Sequence, residues 1–158
     1  NMAHHLALMD QSFLNQVNNI FLIRSPRQIL ASYAQVIETP TLWDIGIEYQ
    51  YTLFNVLKEK GQLPLVMDSG LLLQNPESVL KQACQHLDIP FMNAMLQWQP
   101  GPKPYDGVWA KYWYNNVHKS TGFEKQPTSN RPLPEHLTSL NKKAEYYYDR
   151  LLPFSLQP

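Results

Sequence analysis

Arg24 begins the group of residues whose types and spacing best define a chemistry in this chain. It follows the apolar run Ile20–Ile23, Ser25-Pro26 comes directly after it, and Ser32 lies eight positions beyond it. Serine followed by proline is typical of a helix start, and Gln28 stands at the spacing of a capping box. A helix N-terminus presents free N–H groups that attract anions, and a guanidinium adds a planar, charged pair of donors. The pattern predicts a site for a phosphate group.

The same two residues have a structural interpretation that the sequence leaves open. An arginine at a strand end can pair with a carboxylate on a helix, and a serine can pack against the preceding helical turn. Arg27 lies in the first turn, where a cation opposes the helix dipole. It is predicted to be solvated, and a position beside the bound phosphate is the alternative. Phosphate binding by Arg24 and Ser32 is therefore a hypothesis at this point.

Alternating helices and short apolar runs predict the elements that position these residues. Residues 20–24 and 63–68 read as buried strands, and helices are predicted over 3–17, 26–37, 41–61, 75–87 and 135–151. This alternation indicates an α/β fold with a parallel sheet. The segment 97–134 is rich in proline, glycine and aromatic residues, which is typical of a long ordered loop with a function.

Length and composition restrict the class of protein. The 158 residues, with 44% hydrophobic and 16% charged, predict one globular domain over 1–158. The formal net charge of +0 argues against nucleic acid as a partner. No apolar run is long enough to span a bilayer and no secretory signal is evident, so a cytoplasmic protein is predicted. The one cysteine, Cys84, is predicted to pack in the core, and no residue spacing suggests a metal site.

An arginine closing a strand with a serine eight positions later resembles the 3′-phosphate-binding motif of sulfotransferases. These enzymes use 3′-phosphoadenosine 5′-phosphosulfate (PAPS) as the sulfuryl donor. The resemblance continues through three further segments, Leu63–Asp68, Leu71–Leu80 and Cys84–Phe91. The segment from Gly107 to Phe123 is similar to a narrower subgroup, the sulfotransferase-like domain that accompanies branched-chain aminotransferase-like proteins in plants.

The resemblance implies a P-loop nucleoside-kinase-like, three-layer α/β fold with a short parallel sheet. It implies that Arg24 and Ser32 bind the nucleotide 3′-phosphate, and that the loop with His118, Lys119 and Thr121 closes over the nucleotide. An ordinary surface turn is the alternative for that loop. His4 and His5 are candidates for the base that removes the acceptor proton, with a small hydroxyl or amine as acceptor and no metal.

One departure from the family pattern affects the functional interpretation. No G-x-x-x-x-G-K-[ST] sequence occurs in the chain, which begins at Asn1 in what resembles the middle of the family pattern. We therefore interpret it as an N-terminally truncated form without the first strand and the P-loop. We expect the absent strand to lie between the two strands of this chain. Exposed strand edges would then favour either a homo-oligomer or a rearrangement of the chain that covers them.

Three functions remain open from the sequence. The first is a PAPS-dependent sulfotransferase whose activity requires the complete gene. The second is a catalytically inactive nucleotide- or partner-binding domain of the same fold, which the absent P-loop favours. The third, a kinase-like phosphotransferase, is disfavoured because no Walker lysine and no clear magnesium carboxylate are present.

Overall fold

The computed structural model describes residues 3–35, 37–108, 110–124 and 131–158, without the side chains of residues 3–5, 112 and 113. The two strands are β1 (Ile20–Ile23) and β2 (Leu65–Asp68). The α-helices are α1 (Pro26–Tyr33), α2 (Leu42–Ile45), α3 (Ile47–Glu59), α4 (Ser69–Gln74), α5 (Pro76–His86), α6 (Ala110–Trp113), α7 (Asn115–Lys119) and α8 (Thr138–Leu151). Short 3-10 helices span Ala3–Leu8, Ser12–Gln16, Asn93–Met95, Glu135–Leu137 and Leu152–Phe154.

The strands form a parallel two-stranded sheet, in which Ile20 pairs with Leu65 and the register continues to the strand ends. This confirms the predicted α/β fold with a short parallel sheet. The expectation that an absent strand separates the two is wrong, because β1 and β2 hydrogen-bond directly to each other and leave no space between them. The far edge of β2 meets the C-terminal segment through a bridge between Val66 and Ser155.

The two faces of the sheet differ in how they are covered. Phe21 and Ile23 point into a core shared with apolar residues of α3 and α8, including Phe54, which is 1% exposed. Side chains alternate along a strand, so Ile20 and Leu22 point the other way. They remain 49% and 58% exposed. On this second face, helix α5 packs against β2. Ile20 and Leu22 of β1 are less well covered and stay about half exposed.

The helix boundaries differ from the prediction where a local conformation interrupts the apolar pattern. The helix predicted over 3–17 is replaced by two 3-10 helices, and the one predicted over 26–37 ends at Tyr33. The helix predicted over 41–61 is divided into α2 and α3 at Gly46, whose φ of 74° lies in the left-handed region. Its predicted cap is confirmed, because Thr41 and Asp44 form a capping box.

The predictions for the C-terminal half agree better with the structure. Asn75 caps α5, and the last helix begins after a short 3-10 turn, close to the predicted boundaries. Cys84 is buried, as expected. The proline-rich segment contains α6 and α7 and is closed by a bridge between Gln97 and Gly122. Among the described residues, no helix has the length and apolar character needed to cross a membrane, and no cluster of three ligands suits a metal ion.

Candidate functional site

Arg24 lies in the turn between β1 and α1, with its side chain exposed to solvent. Its Nε donates to Oε1 of Gln28 at 3.2 Å, which fixes the side chain along the first turn of the helix. No other hydrogen bond or ion pair engages the guanidinium within the described ranges, so its two terminal nitrogens remain available to a ligand. The carboxylate partner of the alternative interpretation is therefore not found there.

The start of α1 differs in detail from the predicted capping box. Ser25 makes no side-chain capping hydrogen bond, and the Gln28 side chain accepts from Arg24 instead of reaching back to the cap. The carbonyl of Ser25 accepts the N–H groups of Gln28 and Ile29, whereas the Arg27 N–H has no backbone acceptor among the described residues. The predicted capping box is thus wrong, but the helix N-terminus still offers a free N–H group and its dipole.

Ser32 lies near the other end of the same helix, with an exposed side chain. The structure gives its hydroxyl no hydrogen-bond partner within the described part of the chain, and its backbone carbonyl accepts the Gln35 N–H at 3.3 Å. An exposed guanidinium, a helix N-terminus and a free hydroxyl on one helix form a donor set that fits a phosphate group chemically.

Arg24 lies at the carboxyl end of β1, and the carboxyl end of β2 is next to it in the sheet. The register pairs Ile23 with Asp68, so Arg24 and Ser69 follow from neighbouring strand ends. In open α/β sheets, ligands bind outside the carboxyl ends of the strands. Gln50 of α3 also reaches β1 near this end, where its side-chain amide donates to the Leu22 carbonyl at 3.1 Å.

Asp68 is a buried carboxylate at this edge that the sequence reasoning did not single out. Its Oδ1 accepts the N–H groups of Gly70 and Leu71, both at 2.9 Å, and therefore caps α4. Its Oδ2 accepts the phenol of Tyr148 in α8, also at 2.9 Å. Burial, followed by the interaction with Asp68, raises the pKa of Tyr148. The described hydrogen bonds of Asp68 are all made to groups of the chain itself, which indicates that this carboxylate has a structural role.

His118 and Lys119 lie in the last turn of α7 and not in the predicted loop, of which only the residues after Lys119 are non-helical. This segment is held by a side-chain pair that no local sequence signal could identify. Nε2 of His118 lies 2.8 Å from Oδ2 of Asp106, twelve residues earlier in the chain. The same carboxylate oxygen accepts the Lys103 N–H at 2.7 Å. This backbone hydrogen bond first, and the contact with His118 to a lesser extent, hold the pKa of Asp106 below its ordinary value.

The other predicted residues of this loop are open to solvent. Lys119 and Thr121 are exposed, and the Thr121 carbonyl accepts the Trp98 N–H at 2.9 Å. The Trp98 indole donates to Oγ of Ser120 at 3.1 Å. An open groove of about 610 Å³ runs beside this contact, lined by Leu96–Pro100 and Thr121–Glu124.

The predicted site residues thus fall into two groups that the described contacts do not join. Within the described ranges, no hydrogen bond or ion pair connects Arg24 or Ser32 with the His118 loop. His4 and His5 lie in the first 3-10 helix, and their side chains are outside the described part of the chain. Their roles, like those of the other site residues, remain predictions.

Comparison with known proteins identifies relatives that match the resemblance seen in the sequence. Branched-chain-amino-acid aminotransferase-like proteins 1 and 2 of Arabidopsis thaliana are 34% identical over 140 residues and 35% identical over 115 residues. The matches cover 88% and 73% of this chain but 25% and 20% of the relatives. The chain therefore spans only a small part of the length of these proteins.

A solved structure and a family profile complete the comparison. The sulfotransferase domain from the curacin biosynthetic pathway aligns with 89% of this chain and 54% of its own, with a TM-score of 0.45 and 17% identity. A family profile described as a sulfotransferase domain matches residues 1–151, which is nearly the whole chain. With that coverage, the chain belongs to the sulfotransferase domain family.

Proposed function

We propose that this chain binds PAPS and its product adenosine 3′,5′-bisphosphate, with Arg24 and Ser32 on the 3′-phosphate. The observation that carries the proposal is the exposed Arg24 guanidinium, which keeps its terminal nitrogens free at the carboxyl edge of a parallel sheet. Membership of the sulfotransferase family supports the choice of nucleotide, because the family uses PAPS as co-substrate.

The proposed activity is sulfuryl transfer to a small hydroxyl or amine acceptor. PAPS supplies the sulfuryl group, and the chain's own residues bind and orient it. Arg24 holds the 3′-phosphate by charge-assisted hydrogen bonds, and Lys119 stabilises negative charge that develops on the transferring and leaving oxygens. His118 and Thr121 complete the closing loop, and His4 or His5 is proposed as the acceptor base.

The test is calorimetric titration of the chain with adenosine 3′,5′-bisphosphate. We expect the wild type to bind. Arg24→Ala should lose about 1.5–3 kcal/mol of binding free energy, because a charged hydrogen-bonding group is removed. Arg27→Ala is the matched control, since it removes an exposed cation from the same turn. Equal affinity of wild type and Arg24→Ala would reject the proposed 3′-phosphate site.

A catalytically inactive binding domain is the second candidate function. The observation that favours it is the absence of a G-x-x-x-x-G-K-[ST] sequence from this chain. Under this alternative, Arg24-dependent nucleotide binding is retained, but radiolabelled PAPS transfers no sulfuryl group to a panel of phenols and amines. Detectable transfer that Arg24→Ala abolishes would favour the enzyme.

A further inference from the structure

The pair formed by Asp106 and His118 has the geometry of an oriented imidazole. The two side chains are 16% and 21% exposed and meet at 2.8 Å. The carboxylate accepts the Lys103 N–H. The backbone of His118 is fixed on both sides, because its N–H donates to the Tyr114 carbonyl and its carbonyl accepts the Gly101 N–H. The Tyr114 ring lies at 83° to the imidazole, with 5.9 Å between centroids. The ring of His118 therefore has a defined orientation.

This contact determines which ring nitrogen can accept a proton. A carboxylate accepts hydrogen bonds, so the neutral imidazole of His118 carries its proton on Nε2, toward Asp106. Nδ1 then holds the free lone pair. Nδ1 has no hydrogen-bond partner in the part of the chain that the structure describes. A carboxylate on one nitrogen and a free lone pair on the other is the arrangement by which an orienting group prepares a general base.

The same contact makes His118 less suited to binding a phosphate through charge. Any positive charge on its ring lies against the Asp106 carboxylate, which compensates it and repels an anion. Lys119 has no such partner within the described residues and remains the better cation of this loop. The two neighbouring residues thus differ in chemistry, one favouring proton transfer and the other anion binding.

We propose that His118, in place of His4 or His5, is the general base of the sulfuryl transfer and that Asp106 is its positioning residue; the proposal rests on the proposed function. As the acceptor oxygen or nitrogen attacks sulfur, its proton passes to Nδ1 of His118. A bond forms between the acceptor atom and sulfur, and the bond from sulfur to the bridging phosphate oxygen breaks. The electron pair of that bond leaves on adenosine 3′,5′-bisphosphate.

The other histidines whose side chains are described lack this arrangement. His86 is exposed and has no hydrogen-bond partner among the described residues. His136 contacts the backbone carbonyl of Glu38 at 3.3 Å, not a carboxylate. His86 is consequently a suitable internal control for a histidine without an orienting group.

The first experiment measures the ring tautomer of His118 by nitrogen NMR on the chain labelled with ¹⁵N-histidine. We expect the Nε2–H tautomer in the wild type and a mixture of tautomers in Asp106→Asn, with His86 unchanged between them. Asp106→Glu keeps the carboxylate and should retain the wild-type tautomer, and circular dichroism verifies that each variant is folded. A wild-type Nδ1–H tautomer, or no change in folded Asp106→Asn, would overturn the proposal.

The second experiment asks whether His118 lies at the nucleotide site. Diethyl pyrocarbonate modifies unprotonated imidazole nitrogens, and mass spectrometry reports the rate at each histidine. Adenosine 3′,5′-bisphosphate should slow modification of His118 and leave His86 unaffected. Arg24-dependent binding without protection of His118 would overturn the base assignment. Absence of bisphosphate binding would instead reject the proposed function, and the NMR result would still decide whether Asp106 orients His118.

Where sulfuryl transfer is detected, its kinetics provide the decisive readout. His118→Gln should lower kcat by roughly 10²–10⁴-fold, the usual contribution of a general base, with a much smaller effect on the affinity for the bisphosphate. Lys119→Ala should lower kcat and should also weaken bisphosphate binding, since this residue binds the anion directly. A His118→Gln variant with wild-type kcat would exclude His118 as the base.

Discussion

Asp68 is a single buried carboxylate that connects three elements of this chain. It ends β2, caps α4 through two backbone N–H groups, and accepts the phenol of Tyr148 in α8. Gly70 faces it so closely that an added Cβ would lie 3.0 Å from Oδ1. Because a buried charge is costly unless its hydrogen bonds are complete, each partner of Asp68 should matter for stability.

The first stability prediction concerns the partner from α8. Tyr148→Phe removes the hydrogen bond to Oδ2 and should lower the free energy of unfolding by about 1.5–3 kcal/mol, the usual value for a bond to a charged group. Urea denaturation measures the change. Tyr146→Phe is the matched control, because Tyr146 is 51% exposed and its change should stay within about 0.5 kcal/mol of wild type. Equal losses in both variants would contradict the role of Asp68.

Tyr148 also predicts a dependence of stability on alkaline pH. Its pKa is raised in the folded chain, so the unfolded chain releases the phenol proton at lower pH than the folded chain does. The contribution is fully present below the ordinary tyrosine value of 10.0 and is lost as pH rises through the higher, folded pKa. Unfolding free energy should therefore fall above that ordinary value, and more steeply for wild type than for Tyr148→Phe. Identical alkaline profiles would argue against this contribution.

At the scale of elements, local conformation decided where the helices begin and end. The apolar pattern of 41–61 continues across Gly46, yet the left-handed backbone there separates α2 from α3. The prediction of one long helix failed because periodicity reports which face is buried and not where the backbone changes direction. In contrast, Thr41 and Asn75 carry capping chemistry that acts within one turn, so their positions could be predicted.

The break at Gly46 gives a prediction for this scale. Gly46→Ala places a Cβ on a residue with φ of 74° and should lower the free energy of unfolding by about 1–2 kcal/mol. Gly46→Asn should cost less, since asparagine tolerates this conformation better than alanine. Thermal and urea unfolding compare the two variants. A more stable Gly46→Ala would indicate that α2 and α3 can join into one helix.

At the scale of the whole molecule, β1 is the least protected part of the sheet. Within the described residues no strand pairs with its outer edge, and Ile20 and Leu22 are about half exposed. The Leu22 carbonyl on this edge accepts the Gln50 amide, but an edge without a strand partner beside apolar side chains still favours association with another strand. Self-association of the chain therefore stays a prediction. Because β1 and β2 pair directly, its physical reason is the outer edge of β1 and not a gap between the two strands.

Leu22→Lys tests this prediction by placing a charge on the exposed face of β1. We expect sedimentation velocity to detect concentration-dependent association of the wild type and a monomer for the variant, because an edge lysine opposes strand pairing. Val56→Lys is a matched control, because it places a lysine at an exposed valine of α3 and not on the strand itself. A wild type that stays monomeric at all concentrations would contradict the predicted homo-oligomer.

The sequence by itself determined the class of fold and the family, and it carries the motif from which phosphate binding is predicted. Strand, turn and helix around Arg24 follow each other within a few residues, so residue spacing alone is enough to predict phosphate binding there. Two strands of four residues fix the parallel sheet, but their direct pairing joins segments over forty residues apart and became visible only in the fold. The resemblance located the His118 loop but gave no indication of its partner.

Only the tertiary structure decided which distant side chains meet. Asp106 reaches His118 across a turn, and Tyr148 reaches Asp68 across eighty residues of chain. Neither pair has a local spacing rule, because the geometry arises from how the loop and α8 pack and not from helix or strand periodicity. A sequence can therefore indicate a histidine or a carboxylate as a candidate, whereas the proton position on that histidine depends on a neighbour that folding supplies.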